Sequence, residues 1–234
     1  MKISKIVKCI LNINYFGTYL KGVSPLFELN SLLKIIKKAN TLIDIGSNKG
    51  QFILLFRKFF PSAMVYSFEP LRKELFLQKK ILGIKNIKYF NFAIGNKNKN
   101  IKMYITSRRD SSSLLKPNIT LQKNYSINNT KLIKQKKLDS LINFKHLKKP
   151  ILLKIDVQGY ELQALMGASD ILKNVDYLIL EVSHTMAYYK QSSLKDLKFF
   201  LKKYSFFPKK KTNKSYLNGK LFQEDVLFVK NLSQ

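Results

Sequence analysis

The chain has 234 residues, enough for one large domain with a substantial core. A single cysteine, Cys9, excludes an internal disulfide framework and a cysteine zinc cluster, and two histidines, His146 and His184, argue against a histidine-rich metal site. Forty-three Lys and Arg against fourteen Asp and Glu give a net charge of +29, which fits either a polyanionic partner or the drift of a Lys-, Asn- and Ile-rich composition.

Residues 1–25 are basic and amphipathic, with Lys2, Lys5 and Lys8 set among Ile3, Ile6, Val7, Ile10 and Leu11 at helical spacing. No run reaches the ~18 apolar residues of a membrane span. Asn12 and Asn14 interrupt any signal-peptide core, so the expected location is cytoplasmic. The segment either caps the fold or lies on an anionic membrane face as a basic helix. With a helix expected over residues 28–39, residues 1–39 read as an N-terminal cap to a domain spanning 40–234.

The apolar run Thr41–Ile45 predicts a buried parallel strand. Gly46 and Gly50 bracket a turn, and Gln51 to Phe60 predicts a helix with Phe52, Leu55, Phe56 and Phe59 on one face. A strand, a glycine turn and a helix form half of a nucleotide-binding unit, with the ligand at the strand's carboxyl end. The dinucleotide and phosphate-loop patterns are both absent, since position 48 is Asn, position 51 is Gln and no Gly-Lys-Ser/Thr follows. Asp44-x-Gly46-x-x-x-Gly50 remains, followed by Glu69 at the end of the next strand, Met64 to Phe68. An acid there can accept both hydroxyls of a ribose, which suits a phosphate-free ligand such as S-adenosylmethionine.

A helix is expected from Leu71 to Leu82, stopped by Gly83, then a third strand from Ile87 to Ile94. Ile101 to Ile105 reads as a strand in a hairpin with what precedes it. Residues 106–137, with Ser111-Ser112-Ser113, Pro117 and Asn128-Asn129, read as a long loop whose Arg108 and Arg109 could meet an acidic acceptor. Lys137 to Leu141 is a short strand or turn, Pro150 to Val157 a core strand, Tyr160 to Leu172 a helix, and Tyr177 to Val182 another core strand. A basic-faced helix from Leu194 to Tyr204 precedes an antiparallel pair formed by Phe206-Phe207 and Glu224 to Lys230. The alternation predicts a mostly parallel sheet with helices on both faces.

Ile43-Asp44-Ile45-Gly46-Ser47-Asn48-Lys49-Gly50 resembles motif I of the class I S-adenosylmethionine-dependent methyltransferases. With Asn48 in place, and with Phe68-Glu69-Pro70, Ala93-Ile94-Gly95, Leu138-Asp139-Ser140-Leu141 and Leu153 to Glu161 following in order, the chain resembles the FkbM-type family over about residues 40 to 230. One departure is Gln158, where the family's K-I-D-V-E-G block usually has Glu. The resemblance implies a Rossmann-like, mostly parallel seven-stranded sheet with a closing antiparallel hairpin. It implies S-adenosylmethionine as cofactor, with Asp44 and Gly46 under its methionine part and Ser47, Asn48 and Gly50 turning around it. Glu69, followed by Pro70, would bind the ribose, and Ala93 would lie near the adenine. Residues 106–137 would be the variable acceptor cover.

Methyl transfer from a sulfonium needs alignment and a base for the acceptor proton. Asp156 is the first candidate base and a second candidate contact to the cofactor, its plain alternative being a helix N-cap. Lys154 alternates to the same face and would keep it charged. Glu181 would orient the acceptor or join Asp156 around a divalent ion, although no Asp-Asn or Asp-Asp pair supports a metal. His184 is the alternative base, and Glu161 fits the helix dipole. The expected reaction is O-methylation of a sugar hydroxyl in a polysaccharide, glycolipid or related product. A ribose 2′-O-methyltransferase acting on RNA and a non-catalytic binding module are the alternatives. Asp/Asn-Pro-Pro-Tyr and Pro-Cys blocks are both absent, which weighs against methylation of nucleic-acid bases.

Overall fold

The computed structural model describes residues 13–118 and 125–231. Helix α1 (Ile13–Leu20) and the short α2 (Asn30–Leu33) precede strand β1 (Thr41–Ile45) and helix α3 (Gln51–Phe59). Strand β2 (Met64–Phe68), helix α4 (Arg72–Leu82), β3 (Ile87–Phe90), β4 (Ala93–Ile94), β5 (Lys99–Thr106) and β6 (Ile127–Lys136) follow. Strand β7 (Ile151–Ile155), helices α5 (Glu161–Met166) and α6 (Ser169–Leu172), β8 (Tyr177–Ser183), α7 (Leu194–Lys202), β9 (Phe206–Leu217) and β10 (Lys220–Lys230) complete the chain.

Seven strands form the main sheet in the order β3-β2-β1-β7-β8-β10-β9. The first five run parallel, while β10 pairs antiparallel with both β8 and β9. This is the Rossmann-like class I arrangement with its closing hairpin. Every residue of β1 and β7 is buried, because both faces of the sheet are covered. Neighbours on one strand therefore enter opposite cores. Leu42 joins Phe52, Ile53 and Phe56 of α3, whereas Ile43 joins Leu165, Ile171 and Leu197 of α5, α6 and α7. The outer strand β9 leaves Lys209, Lys210, Lys211 and Lys214 exposed along the sheet's edge.

Several expectations are corrected. The stretch 28–39 holds only a 3-10 turn (Phe27–Leu29) and the four-residue α2 rather than one helix. Ile87 to Ile94 is two strands. The Asn91 side chain donates to the carbonyls of Glu69 and Pro70, and beyond it Ala93–Ile94 joins a separate three-stranded sheet, β4-β6-β5. Strand β5 pairs with β6, which follows it, rather than with the preceding segment. Most of the supposed loop after residue 126 is thus a ten-residue strand. Gly167 splits the helix expected over Tyr160 to Leu172, because its Cα lies against the Gly95 carbonyl. Leu138–Ser140 is a 3-10 turn, and the final hairpin is longer than its apolar ends suggested. The lysine-rich start of the N-terminal segment, Cys9 included, and residues 119–124 of the cover lie outside the described residues.

Candidate active site

Strands β1, β2 and β7 end at one level because their registers align Asp44 with Ser67 and with Lys154. The turn after β1 starts at Gly46 (φ +78°), where a Cβ would meet the Asp156 carbonyl oxygen at 1.9 Å. Only glycine lets the backbones of β1 and β7 come this close. The Gly46 and Ser47 N–H groups donate to the Phe68 carbonyl, tying the turn to β2.

A buried polar network sets the rest of the turn. The Gln78 amide on α4 donates to Ser47 Oγ (3.0 Å) and to the Asn48 carbonyl (2.8 Å), and its carbonyl oxygen accepts from Ser67. Gly50 lies against Gln78 and Leu82 and faces away from the cleft. Ser67 and Gln78 were not foreseen; Gln78 shares the buried face of α4 with Glu74, Leu75 and Leu82, and nothing in the mixed sequence of that helix singles it out.

Glu69 is buried at the tip of β2. Its carboxylate accepts the Asn48 N–H (2.9 Å) on one oxygen and the Leu71 N–H (2.8 Å) on the other, leaving each a second lone pair. Burial raises its pKa to about 8 against the pull of those two bonds. Around it Pro70, Leu71, Ala93, Ile94 and Met103 form an apolar lobe. Asp44 is fully buried behind the turn, and burial raises its pKa to about 6 despite Lys154 Nζ at 3.8 Å. Neither Asp44 oxygen has a hydrogen-bond partner.

A second, polar lobe opens on the other side of Gly46, Asn48, Asp110, Asp156 and Gln158, which line both. Its floor carries Lys154, Asp156, Glu181 and Asp225, brought to one face by the alternation of β7, β8 and β10. Lys154 Nζ lies 3.3 Å from Asp156 Oδ2. Burial opposes its charge, but Asp156, Asp44 and Asp225 hold its pKa above the lysine range. Burial, then Asp156, raises Asp225 to about 7, and burial with Asp156 and Asp225 pushes Glu181 well above the carboxylate range. Asn213 donates to Asp225 (2.8 Å). Asp225 and Asn213 were not foreseen, since they reach the site only through the final hairpin.

Asp156 lines the polar lobe, Glu161 lies in the first turn of α5, and His184 is engaged elsewhere. Asp156 is not a helix N-cap, because Tyr160 holds that position and its own carboxylate accepts from Lys154 and Gln158. Glu161 bends back to accept the Val157 (3.2 Å) and Gly159 (3.0 Å) N–H groups, and burial raises its pKa to about 7. The His184 ring reaches Glu224 Oε1 at 3.0 Å, and Glu224 sits next to Asp225 in β10, so it points to the opposite face of the sheet. Across the cleft, Arg108 pairs with Asp110 (2.9 Å) and Arg109 with Glu74 (2.6 Å). Among the described residues no cluster of three His, Cys, Asp or Glu has the geometry of a metal site.

The profile of the FkbM methyltransferase domain matches residues 44–208, most of the chain and the site residues from Asp44 to Glu181. The chain belongs to the FkbM methyltransferase family. S-Adenosylmethionine is the methyl donor of class I methyltransferases, and this FkbM chain has their sheet. No curated protein sequence matches it significantly. Solved structures with a similar course include magnesium protoporphyrin IX methyltransferase of Synechocystis PCC 6803 (12% identity, TM-score 0.45, 87% of this chain and 76% of that one). Precorrin-6y C5,15-methyltransferase of Geobacter metallireducens GS-15 (9%, 0.44, 87% and 88%) and TrmK of M. capricolum (13%, 0.46, 87% and 67%) are others.

Proposed function

We propose that this FkbM protein is an O-methyltransferase whose acceptor is a sugar hydroxyl in a polysaccharide, glycolipid or related natural product. One observation carries the reading: the polar lobe beside the glycine turn is floored by hydrogen-bond acceptors, Asp156, Glu181 and Asp225, interleaved with the amides of Gln158, Asn213 and Gln223. Such a floor suits a neutral, hydroxyl-rich ligand that both donates and accepts.

The cofactor fits the apolar lobe and the turn. Glu69 has spare lone pairs for two ribose hydroxyls, and Pro70, Ala93 and Ile94 offer a flat apolar wall for the adenine. Asp44 keeps a buried negative charge behind Gly46, Ser47 and Asn48, where the cationic methionine part would lie. When bound, the sulfonium supplies an activated methyl group. The chain's own contribution is to align the acceptor hydroxyl, shield it from water and take its proton, for which Asp156 and Glu181 are in place.

Residues of the 106–137 segment, Arg108, Asp110, Ser111 and Tyr125, roof the polar lobe, which supports their role as acceptor cover. Among the described residues no helix is long and apolar enough to cross a membrane. The lysine edge of β9 suits peripheral contact with an anionic membrane, where lipid-linked glycans are built. Labelled S-adenosylmethionine with cell-envelope glycan precursors tests the reading. Label in a glycan methyl ether is the expected result; label in RNA, or binding with no transfer to any acceptor, would replace it.

A further inference from the structure

Gln158 sits where the two lobes meet, in a left-handed backbone conformation (φ +55°). That conformation costs a non-glycine residue about 1–2 kcal/mol, so its surroundings must hold it. They do so at four points. Its carbonyl accepts from Ser113 Oγ (2.7 Å), its side-chain oxygen lies 3.1 Å from the Tyr188 hydroxyl, whose one proton it shares with the Ser111 carbonyl (2.8 Å), and its amide nitrogen donates to Asp156 Oδ1 (2.8 Å) and Glu181 Oε2 (2.8 Å). One amide thus spans the two carboxylates of the acceptor lobe.

The two carboxylates are held differently. Asp156 has a donor on each oxygen, Gln158 on one and the Lys154 ammonium on the other. Both donors of Glu181, the Gln158 and Gln223 amides, converge on the same oxygen, Oε2. The charged groups that act on Glu181 are Asp156 and Lys154 from the end of β7, Asp225 from β10 and Glu161 from α5, with the Tyr188 hydroxyl nearby. Arg108 and Asp110 face it across the lobe and pair with each other. Hydrogen bonds from a cation and an amide favour the charged form of a carboxylate, while neutral amides on one oxygen leave the other side of the group for a ligand.

Resting on the hydroxyl-methyltransferase reading, we infer that Gln158 is a positioning residue that divides the work between these acids. It fixes Asp156 as a standing charge and turns Glu181 to receive the acceptor's proton. In that step the acceptor oxygen exchanges its O–H bond for an O–C bond, the proton passes to Glu181, and the electron pair of the broken C–S bond stays on sulfur. One sulfonium and one carboxylate become a neutral thioether and a carboxylic acid.

The test has two arms on the full-length chain. In the first, the ¹³C-carboxyl resonance of Glu181, assigned with Glu181→Gln, is titrated in the absence of any acceptor. Gln158→Met, which removes the shared donor, is expected to move that midpoint upward by about one unit, and Tyr188→Phe, which frees the amide, to move it the same way by less. An unchanged midpoint in whichever of the two folds overturns the role of Gln158. In the second arm, methyl transfer from labelled S-adenosylmethionine to a cell-envelope glycan fraction is followed against pH. Glu181→Gln is expected to lower kcat about 10²–10⁴-fold and abolish the acid limb, and Asp156→Asn to keep that limb. The reverse pattern overturns the division of work. Failure of transfer with every glycan counts against the substrate reading, whereas the titration judges Gln158 by itself.

Discussion

Asp44 and Lys154 are register partners on adjacent parallel strands, 3.8 Å apart where water does not reach. Lys154 also bonds Asp156 (3.3 Å), so one ammonium neutralises the acid behind the glycine turn and the acid in front of it. Removing the cation would leave both carboxylates short of their only close positive charge in these pairs. Breaking a buried pair from one side costs about 3–5 kcal/mol. Lys154→Met is therefore expected to lose about that much stability at pH 7 by urea unfolding. Part of the loss should return at pH 5, where Asp44 can take up a proton.

Glu69→Ala removes the carboxylate proposed to accept the ribose hydroxyls while leaving the apolar wall. Loss of two hydrogen bonds at about 0.5–1.5 kcal/mol each is worth roughly 5–150-fold in affinity. Calorimetric titration with S-adenosylhomocysteine should show weakening in that range. Glu69→Gln keeps the shape and one acceptor oxygen, and should fall in between.

The pH dependence of stability follows from acids whose folded pKa lies above the unfolded value: Asp44 at about 6, Glu161 and Asp225 at about 7, and Glu69 at about 8, each raised chiefly by burial. Between about pH 4.5 and 8 the folded chain binds more protons than the unfolded chain. The slope of unfolding free energy with pH is then negative. The expected result is a Tm that falls as pH rises from 5 to 8 in the chain alone. Saturating S-adenosylmethionine, which brings positive charge to Asp44, should flatten the curve. Differential scanning calorimetry with and without the ligand measures both.

Two left-handed glycines should respond differently to alanine. Gly46→Ala places a methyl group 1.9 Å from the Asp156 carbonyl oxygen, so β1 and β7 must part. Gly219 (φ +76°) closes the β9–β10 hairpin with open space around it. Gly219→Ala should cost only about 1–2 kcal/mol in thermal unfolding and leave ligand affinity intact. Gly46→Ala should abolish measurable S-adenosylhomocysteine binding, and a bound, native-like variant would contradict the close approach.

The central strands were legible because they must be. Thr41–Ile45 and Ile151–Ile155 are buried on both faces, so their sequences are apolar apart from Thr41, Asp44 and Lys154, and Gly46 and Pro150 bound them. Strand β6, Ile-Asn-Asn-Thr-Lys-Leu-Ile-Lys-Gln-Lys, could not be read that way. It is largely exposed and is held by pairing with β5 and β4 rather than by burial. The places of Gly46 and Glu69 were equally readable, since both follow directly on strands the pattern had already placed. The polar lobe was only half visible. Asp156 follows β7 and Glu181 lies near the end of β8, but Asp225, Asn213 and Gln223 belong to a hairpin that meets them through the sheet order alone.

The lysines along β9 have a further effect that concerns crowding. A sheet's outer strand offers unpaired amides and carbonyls to any passing extended segment. Here a second copy approaching in register would bring Lys209, Lys210, Lys211 and Lys214 against their own counterparts. Like charges set directly opposite one another disfavour that pairing, so the exposed lysines blunt the edge beside the hairpin that carries Asp225.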